Sequence, residues 1–412
     1  MSPEMSQSRR EFLLRGSALS LGLMAATVPG TGLAASEIVQ PFANGRRELV
    51  RYPQKRPLMR ITARPPHLET PFEVFNGGAI TPNDAFFVRY HLANIPREID
   101  LRSYRLKVFG KVSKPLELSL PELKKLAEPV EIAAVNQCSG NSRGFANPRV
   151  FGSQLGNGSM GNARWAGVPL RAVLDKAGVL PGARQVTFNG LDTPVLLTTA
   201  DFVKALEMDH ARSPEVLLAW SMNGADIPLL NGFPLKLIVP GYFGTYWVKH
   251  LSQIEVLDHE FEGHDALFMT TAYRVPDNAC WCVPAGGKPD KTVPISKLRV
   301  RSFVTNLADH GTLKAGTRAV MKGIAFDSGS GIAKVETSTD SGQQWTETSL
   351  GPDLGGYSFR EWNGSFNVPA RGPFTLQVRA TSRAGETQPV TATWNPAGYA
   401  RNVIETVSLN AA

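Results

Sequence analysis

Residues 135–143 read VNQCSGNSR, a cysteine among polar side chains and glycine with an arginine five positions on. Gln137, Ser139, Gly140 and Asn141 surround Cys138 with groups able to donate hydrogen bonds to a thiolate, and the charge of Arg143 favours that ionised form. Three roles are open to Cys138: nucleophile, soft-metal ligand or unreactive thiol. A cysteine nucleophile needs a histidine base, and no Cys/His/Asn order here suits a hydrolase. A zinc site needs further protein ligands, and no paired cysteines lie near Cys138. A metal bound there must take most of its coordination from a cofactor. FFVRYH (residues 86–91) spaces Arg89 and His91 two apart, on one face of an extended segment, although a surface strand with solvated charges fits it as well. NGFPLK (231–236) and TYWVKH (245–250) bring Lys236 and Lys249 to either side of an apolar stretch, as phosphate partners or ordinary surface charges. HDALFMTTAYR (264–274) places Tyr273 and Arg274 in a loop. These residues together describe an anion-friendly site with one thiolate, several cations and a tyrosine.

The elements that must position them are mixed. VEIAAVNQ predicts a strand that ends at Cys138, and RLKVFGKV, RQVTFNGLD, VLLAWSMNG and PLKLIVPG predict further strands, the last nearly all apolar and so buried. SLPELKKLAE (119–128) carries a Ser cap and an early Pro, both helix-start signals. PLRAVLDKAG (169–178) reads as a short helix ending at glycine, and TADFVKALEM (199–208) as a helix with a Thr cap. Strands and helices in irregular order predict an α+β domain. Residues 36–70, rich in Arg and Pro, read as an extended arm on the surface, and the glycine-rich 152–162 as a flexible loop. From about residue 297, short alternating stretches separated by DSGSG, DSGQQ, GPDLGG and SRAGE predict an immunoglobulin-like β-sandwich. The boundary falls in VPAGGKPDKTVP (283–294).

The chain has 412 residues and a formal charge of +8, a mild basic excess without dense basic runs. That argues against nucleic acid as a partner and for anionic ligands or acidic partners. An arginine pair in SRREFLL (8–14), a short apolar run at 18–28 and the small residues of GLAAS (32–36) predict a twin-arginine-type signal cleaved near Ala35. No later segment is long and apolar enough to span a bilayer, so the expectation is a periplasmic protein folded around its cofactor before export. Cys280 and Cys282 stand one residue apart in NACWC, an awkward spacing for a disulfide. They lack the C-x-x-C-H of haem attachment and read as buried or partly buried thiols.

VNQCSGNSR resembles the Q-C-x-G-N-x-R loop of the sulfite oxidase family of molybdenum enzymes, and FFVRYH its F-F-x-R-x-H segment. NGLD, VLLAWSMNG, GFPLKLIVPG and WVKHL follow in that family's order, as do the hallmark-like GIAFDSGSGIAKVETSTDSGQQW (323–345) and the closing WNPAGYARNVI (394–404). The resemblance covers residues 70–405. It implies a molybdopterin-binding α+β domain at 71–284 and an immunoglobulin-like dimerisation domain at 285–412, which follow the signal expected at 1–35 and the arm expected at 36–70. It makes Cys138 the protein ligand of molybdenum, with the pyranopterin dithiolene supplying other sulfurs. Arg89 and Arg143 become substrate-pocket arginines, suited to sulfite because a guanidinium offers paired donors to an oxyanion. Tyr273 becomes the active-site tyrosine, and His91 a pocket and cofactor contact. Phe87, Val88, Arg89, Tyr90, His91, Asp192, Asn231, Lys236, Trp247, Val248 and Lys249 fall on positions that hold the pterin and its phosphate. Two departures stand out: Asn231 and Lys236 replace the His and Arg of the animal H-G-F-P-x-R, and GTYWVK lacks the arginine of G-A-R.

The implied activity is oxidation of sulfite to sulfate, with electrons passing singly to a c-type cytochrome. The implied cofactor is molybdenum-molybdopterin, without haem on this chain, and the implied assembly is a homodimer or a complex with a cytochrome subunit. Two other readings are a periplasmic molybdoenzyme of the methionine sulfoxide reductase kind and a non-catalytic exported binding protein.

Overall fold

Val130–Gln137 is the strand that ends at the cysteine loop, and from Ala133 onward its side chains are buried. It pairs antiparallel with Met160–Pro169 along its whole length, Val130 opposite Gly167 and Gln137 opposite Met160. Met160–Pro169 pairs in turn with Leu217–Met222, whose other edge takes Lys236–Ile238 and Ala225–Asp226. The runs LLA and KLI are buried in this sheet, apolar except for Lys236. Trp165 is fully buried within it, and its indole donates to the Ala134 carbonyl at 3.1 Å. A second sheet runs in the order Lys204–Glu207, Gln185–Asn189, Gln253–Leu257, Leu106–Gly110, Leu116–Leu118. Two helices share the core between these sheets. Leu120–Lys124 starts at a capping box, in which Ser119 Oγ accepts from Glu122 N–H and the Glu122 carboxylate accepts from Ser119 N–H at 2.8 Å. Leu170–Ala177 ends at Gly178, whose φ of 68° suits a residue without Cβ.

This computed structural model describes residues 36–412; the signal-like segment 1–35 and its cleavage site lie outside the described residues. Glu37–Ala412 forms one compact unit. Among the described residues no helix is long and apolar enough to cross a membrane.

Several expectations are corrected. The α+β class becomes a largely sheet structure, with α-helices among the described residues only at Leu120–Lys124, Leu170–Ala177, Met208–Ala211 and Leu267–Thr270. The helix expected at 199–208 is instead the edge strand Lys204–Glu207, paired with Gln185–Asn189, followed by the four-residue helix Met208–Ala211. The Asp201 carboxylate binds the Asn189 amide at 2.9 Å, and residues 202–206 are buried on both faces. An available sheet edge outweighs helix propensity there. The supposed surface arm forms the strands Glu37–Val39, Arg46–Val50, Leu58–Thr62 and His67–Glu69, which with Val88–Arg89 make a five-stranded sheet. Leu58 and Leu68 are fully buried in it. Short strands broken by proline turns leave too few residues for a period-two signal. Residues 152–158 form an ordered loop, and Met160–Pro169 opens where flexibility was expected. The Glu69 carboxylate accepts from Gly156 N–H at 3.0 Å and from Ser159 Oγ at 2.9 Å. Cys280 and Cys282 form a disulfide in a loop where Cys280 is exposed. The turn that folds Asn278 back onto the Cys282 backbone brings the two sulfurs together.

Downstream, two sheets face each other. Arg301–Val304, Arg318–Phe326, Arg360–Asn367 and Ser349–Leu350 form one, and Gly311–Leu313, Glu405–Ala411, Gly372–Ser382, Ile332–Ser338 and Thr346–Glu347 the other. Val304, Ala325, Trp362, Leu376 and Val378 fill the space between them. A separate apolar cluster joins Phe75 and Tyr273 to Phe303, Ile324, Phe359 and Ala400, so the two halves of the sequence share a packed core.

Gly158 shows how closely the arm's sheet is fitted to the cysteine loop. A Cβ there would lie 2.1 Å from the Thr70 carbonyl oxygen, whose residue also donates its N–H to Gly158 O at 3.0 Å. Gly158→Ala is expected to cost about 1–3 kcal/mol, read as a lower denaturant midpoint; an unchanged midpoint would show that the chain around Thr70 yields freely.

Candidate active site

Four segments converge on one small cavity. The first is the edge strand Val88–Arg89, which pairs with His67–Glu69 so that His67 stands opposite Arg89. Strand alternation sends Phe87, Arg89 and His91 to the cavity wall and turns Val88 and Tyr90 into a small apolar core with Leu58 and Leu68. The second is the loop after Val130–Gln137. Cys138 lies on the wall and is buried, its N–H donating to Ser159 O at 2.9 Å and its carbonyl accepting from Asn141 N–H at 3.0 Å. The third and fourth bring Asn231 with Lys236, and Trp247 with Lys249. Tyr273 closes the cavity from a left-handed backbone conformation, φ 59°, that non-glycine residues adopt at a cost.

Each expected residue can now be placed. Cys138, Phe87, Arg89, His91, Asn231, Lys236, Trp247, Lys249 and Tyr273 meet at one wall. Val88, Tyr90, Asp192, Val248 and Arg143 do not reach it. The Val88 and Val248 side chains belong to the core. Tyr90 supports Lys249 from behind, with the ammonium 4.2 Å from its ring centroid, and shares a 2.6 Å hydrogen bond with His250 Nε2. Asp192 is buried beside Lys249; burial raises its carboxyl and the lysine's charge opposes that rise. Arg143, expected in the substrate pocket, stands one side chain further back. Its guanidinium donates to Ala397 O at 2.9 Å and Ser153 O at 3.3 Å, and lies 5.0 Å from the Tyr399 ring centroid. Tyr399 stacks on Tyr273 at 5.3 Å and so stands between Arg143 and that wall. A Cβ on Gly140 would sit 2.7 Å from Arg143 Nη2, which makes the slot fit for glycine.

Further residues line the cavity that the sequence does not mark for the site, Ser139 standing out there only as a neighbour of the thiol. Phe202 lies flat on His91 with centroids 4.0 Å apart, and Asn136, Ser139 and Thr245 present polar atoms to the wall. Asn136, Ser139 and Thr245 sit inside the quoted motifs and were within reach. Phe202 was hidden by the helix assigned to its segment.

The electrostatics favour an anion. Lys236 is buried with its ammonium 4.8 Å from the Trp165 centroid, and burial, then the charges of Lys249 and Lys55, push it well below the ordinary lysine value. Burial brings Lys249 down to about 8, against the pull of Asp192. An anion beside these lysines reverses that depression. His91 is held well below its usual value by burial and then by Arg89 and Lys249, so it is neutral, and it shares a short hydrogen bond with the Tyr273 hydroxyl. Burial raises the Tyr273 phenol, which stays protonated.

A metal–pterin cofactor fits this chemistry. Asn136 Oδ1, Ser139 Oγ and Thr245 Oγ1 are buried without a partner in the protein, as expected of atoms awaiting a ligand. Among the described residues no group of three or more His, Cys, Asp or Glu can hold a metal, so Cys138 must share any metal with ligands from outside the chain.

Two protein-family models match the chain: the oxidoreductase molybdopterin binding domain over residues 91–265 and the Mo-co oxidoreductase dimerisation domain over residues 292–411. Sulfite oxidase of Gallus gallus is 31% identical over 386 residues, covering 90% of this chain and 80% of that protein. The chain spans about two thirds of the length of the rodent mitochondrial sulfite oxidases. An NADH nitrate reductase of Ulva prolifera is 27% identical over 377 residues, covering 86% of this chain and 42% of that protein. The crystal structure of the sulfane dehydrogenase SoxCD from Paracoccus pantotrophus has the same fold, with TM-score 0.71 at 22% identity over 93% of this chain and 92% of that one. The chain therefore belongs to the sulfite oxidase family of molybdenum oxidoreductases and takes a molybdenum–molybdopterin cofactor.

Proposed function

We propose that this protein is a sulfite dehydrogenase that works in the periplasm after export by the twin-arginine route and delivers electrons to a c-type cytochrome. The observation that carries the substrate is the wall itself: Arg89 and the His91–Tyr273 pair face the same small cavity as Cys138. Sulfite and water give sulfate, two protons and two electrons, and the bound cofactor supplies a molybdenum centre that takes up those two electrons. Arg89 holds the anion through charge-assisted hydrogen bonds. The Tyr273 hydroxyl, oriented by neutral His91, donates to an anion oxygen. Cys138 is the protein's ligand to the metal, and Lys236 and Lys249 neutralise the pterin phosphate. The chain's mild basic excess suits an acidic patch on the cytochrome. The downstream sandwich is read as an immunoglobulin-type dimerisation domain at 285–412, giving a homodimer or a complex with a cytochrome subunit.

The test is molybdenum content together with sulfite-dependent reduction of cytochrome c or ferricyanide. About one molybdenum per chain with sulfite-dependent turnover is the expected result. Molybdenum without sulfite turnover, but with reduction of nitrate or methionine sulfoxide by a reduced dye, would reassign the substrate. Absence of molybdenum would leave a binding protein.

A further inference from the structure

Residues 36–70, which read in sequence as a surface arm, send one lysine into the cofactor site from behind. Lys55 is 6% exposed, and its ammonium donates to Asn83 O at 2.6 Å, to Phe86 O at 3.0 Å and to Asn231 Oδ1. All three of its protons are used. Asn231 in turn donates from Nδ2 to Phe87 O at 2.9 Å, so the lysine fixes which way that amide points. Phe86, Phe87 and Asn231 all face the cavity, while Lys55 does not. Beside it, the Gln54 side chain accepts from Leu229 N–H at 2.9 Å and caps the short turn Leu229–Asn231. Gln54 and Lys55 thus grip both ends of the turn that presents Asn231.

An apolar residue would fill this space without the expense of burying a cation. Burial pushes Lys55 down to about 7, and its charge lies close enough to Lys236 to depress that lysine too. Asp84, which is paired with Arg56 at the surface, is the acidic group opposing that depression. A buried cation with neutral hydrogen-bond partners, set behind two cationic wall residues, is best explained by an anion on the far side of Asn231.

We infer that Lys55 is a positioning residue of the cofactor site, orienting Asn231 and the Phe86–Phe87 backbone and adding a third lysine charge behind the anchored phosphate. The arm thereby becomes part of cofactor retention. Where the animal pattern has His and Arg, this chain has Asn231 and Lys236, and Lys55 supplies the order and charge that a neutral amide lacks.

Lys55→Gln removes the charge and keeps a donor. Molybdenum per chain is measured by plasma mass spectrometry, pterin by fluorescence after oxidative release, and cofactor loss is followed during dialysis against inorganic phosphate. The purified K55Q protein is expected to keep its circular dichroism and elution volume while releasing cofactor about tenfold faster, within the range for outer-shell changes at metal sites. K55R should recover most of the retention. Wild-type molybdenum content and release rate in K55Q would overturn the inference, as would equal loss in K55Q and K55R. Should K55Q fail to fold, the exposed Gln54→Asn decides: release faster by about fivefold, the worth of one hydrogen bond, supports the brace, and unchanged release overturns it.

Discussion

Cys138→Ser is expected to abolish sulfite-dependent electron transfer, with a loss well beyond the roughly ten- to hundredfold typical of an outer-shell change at a metal site. A serine hydroxyl is a hard, weakly acidic donor where a soft thiolate is required, and no other described side chain can replace it: the remaining cysteines are joined to each other. The loop itself should persist. Cys138 is held through its backbone, by Ser159 and Asn141, and those bonds do not involve sulfur. The variant should therefore fold and retain much of its pterin through Lys236 and Lys249. X-ray absorption should show one fewer sulfur on molybdenum. Full activity in this variant, or an unchanged sulfur count, would remove Cys138 from the metal.

Arg89→Gln should raise the KM for sulfite steeply and lower kcat/KM by about 2–5 kcal/mol, the cost of truncating one member of a desolvated charge pair. Arg89 stands on the cavity wall, and its carbonyl also accepts from the Lys249 ammonium at 2.7 Å. The substitution keeps that backbone contact, so cofactor content should hold while anion affinity falls. Arg143→Gln is expected to do less. Its guanidinium is satisfied by two carbonyls and screened from the wall by Tyr399, so it acts on the anion through distance and through Tyr273. Steady-state kinetics of the two variants with sulfite decide this. Equal KM increases would place Arg143 in direct contact with the anion and contradict the layering of Tyr399 between them.

Much of the site was legible because its motifs are local. VNQCSGNSR is a strand end followed by a tight loop, and FFVRYH is an extended segment whose alternation separates wall residues from core residues. The strand ending at Cys138, the Ser119 cap and the Gly178 stop follow from a few adjacent residues. Where expectation failed, the deciding partner was remote in sequence. Residues 204–207 became a strand because Gln185–Asn189 offered an open edge. The arm became a sheet because its fifth strand, Val88–Arg89, arrives some twenty residues after its fourth. Cys280 and Cys282 met because Asn278 folds the loop back on itself, a turn that spacing alone does not specify.

By itself the sequence determined the kind of chemistry: one thiol, several cations and a tyrosine in an order shared with a molybdenum enzyme family. That follows from side-chain identity, which folding does not alter. Only the tertiary structure decided which of those groups touch the same space. It moved Arg143 behind Tyr399, turned Val88 and Tyr90 away from the cavity, and drew Lys55 from a presumed surface arm to the back of Asn231. Depth depends on packing between segments far apart in the chain, and the strength of each charge depends on depth, because removal from water sets both its ionisation and its pull on an anion.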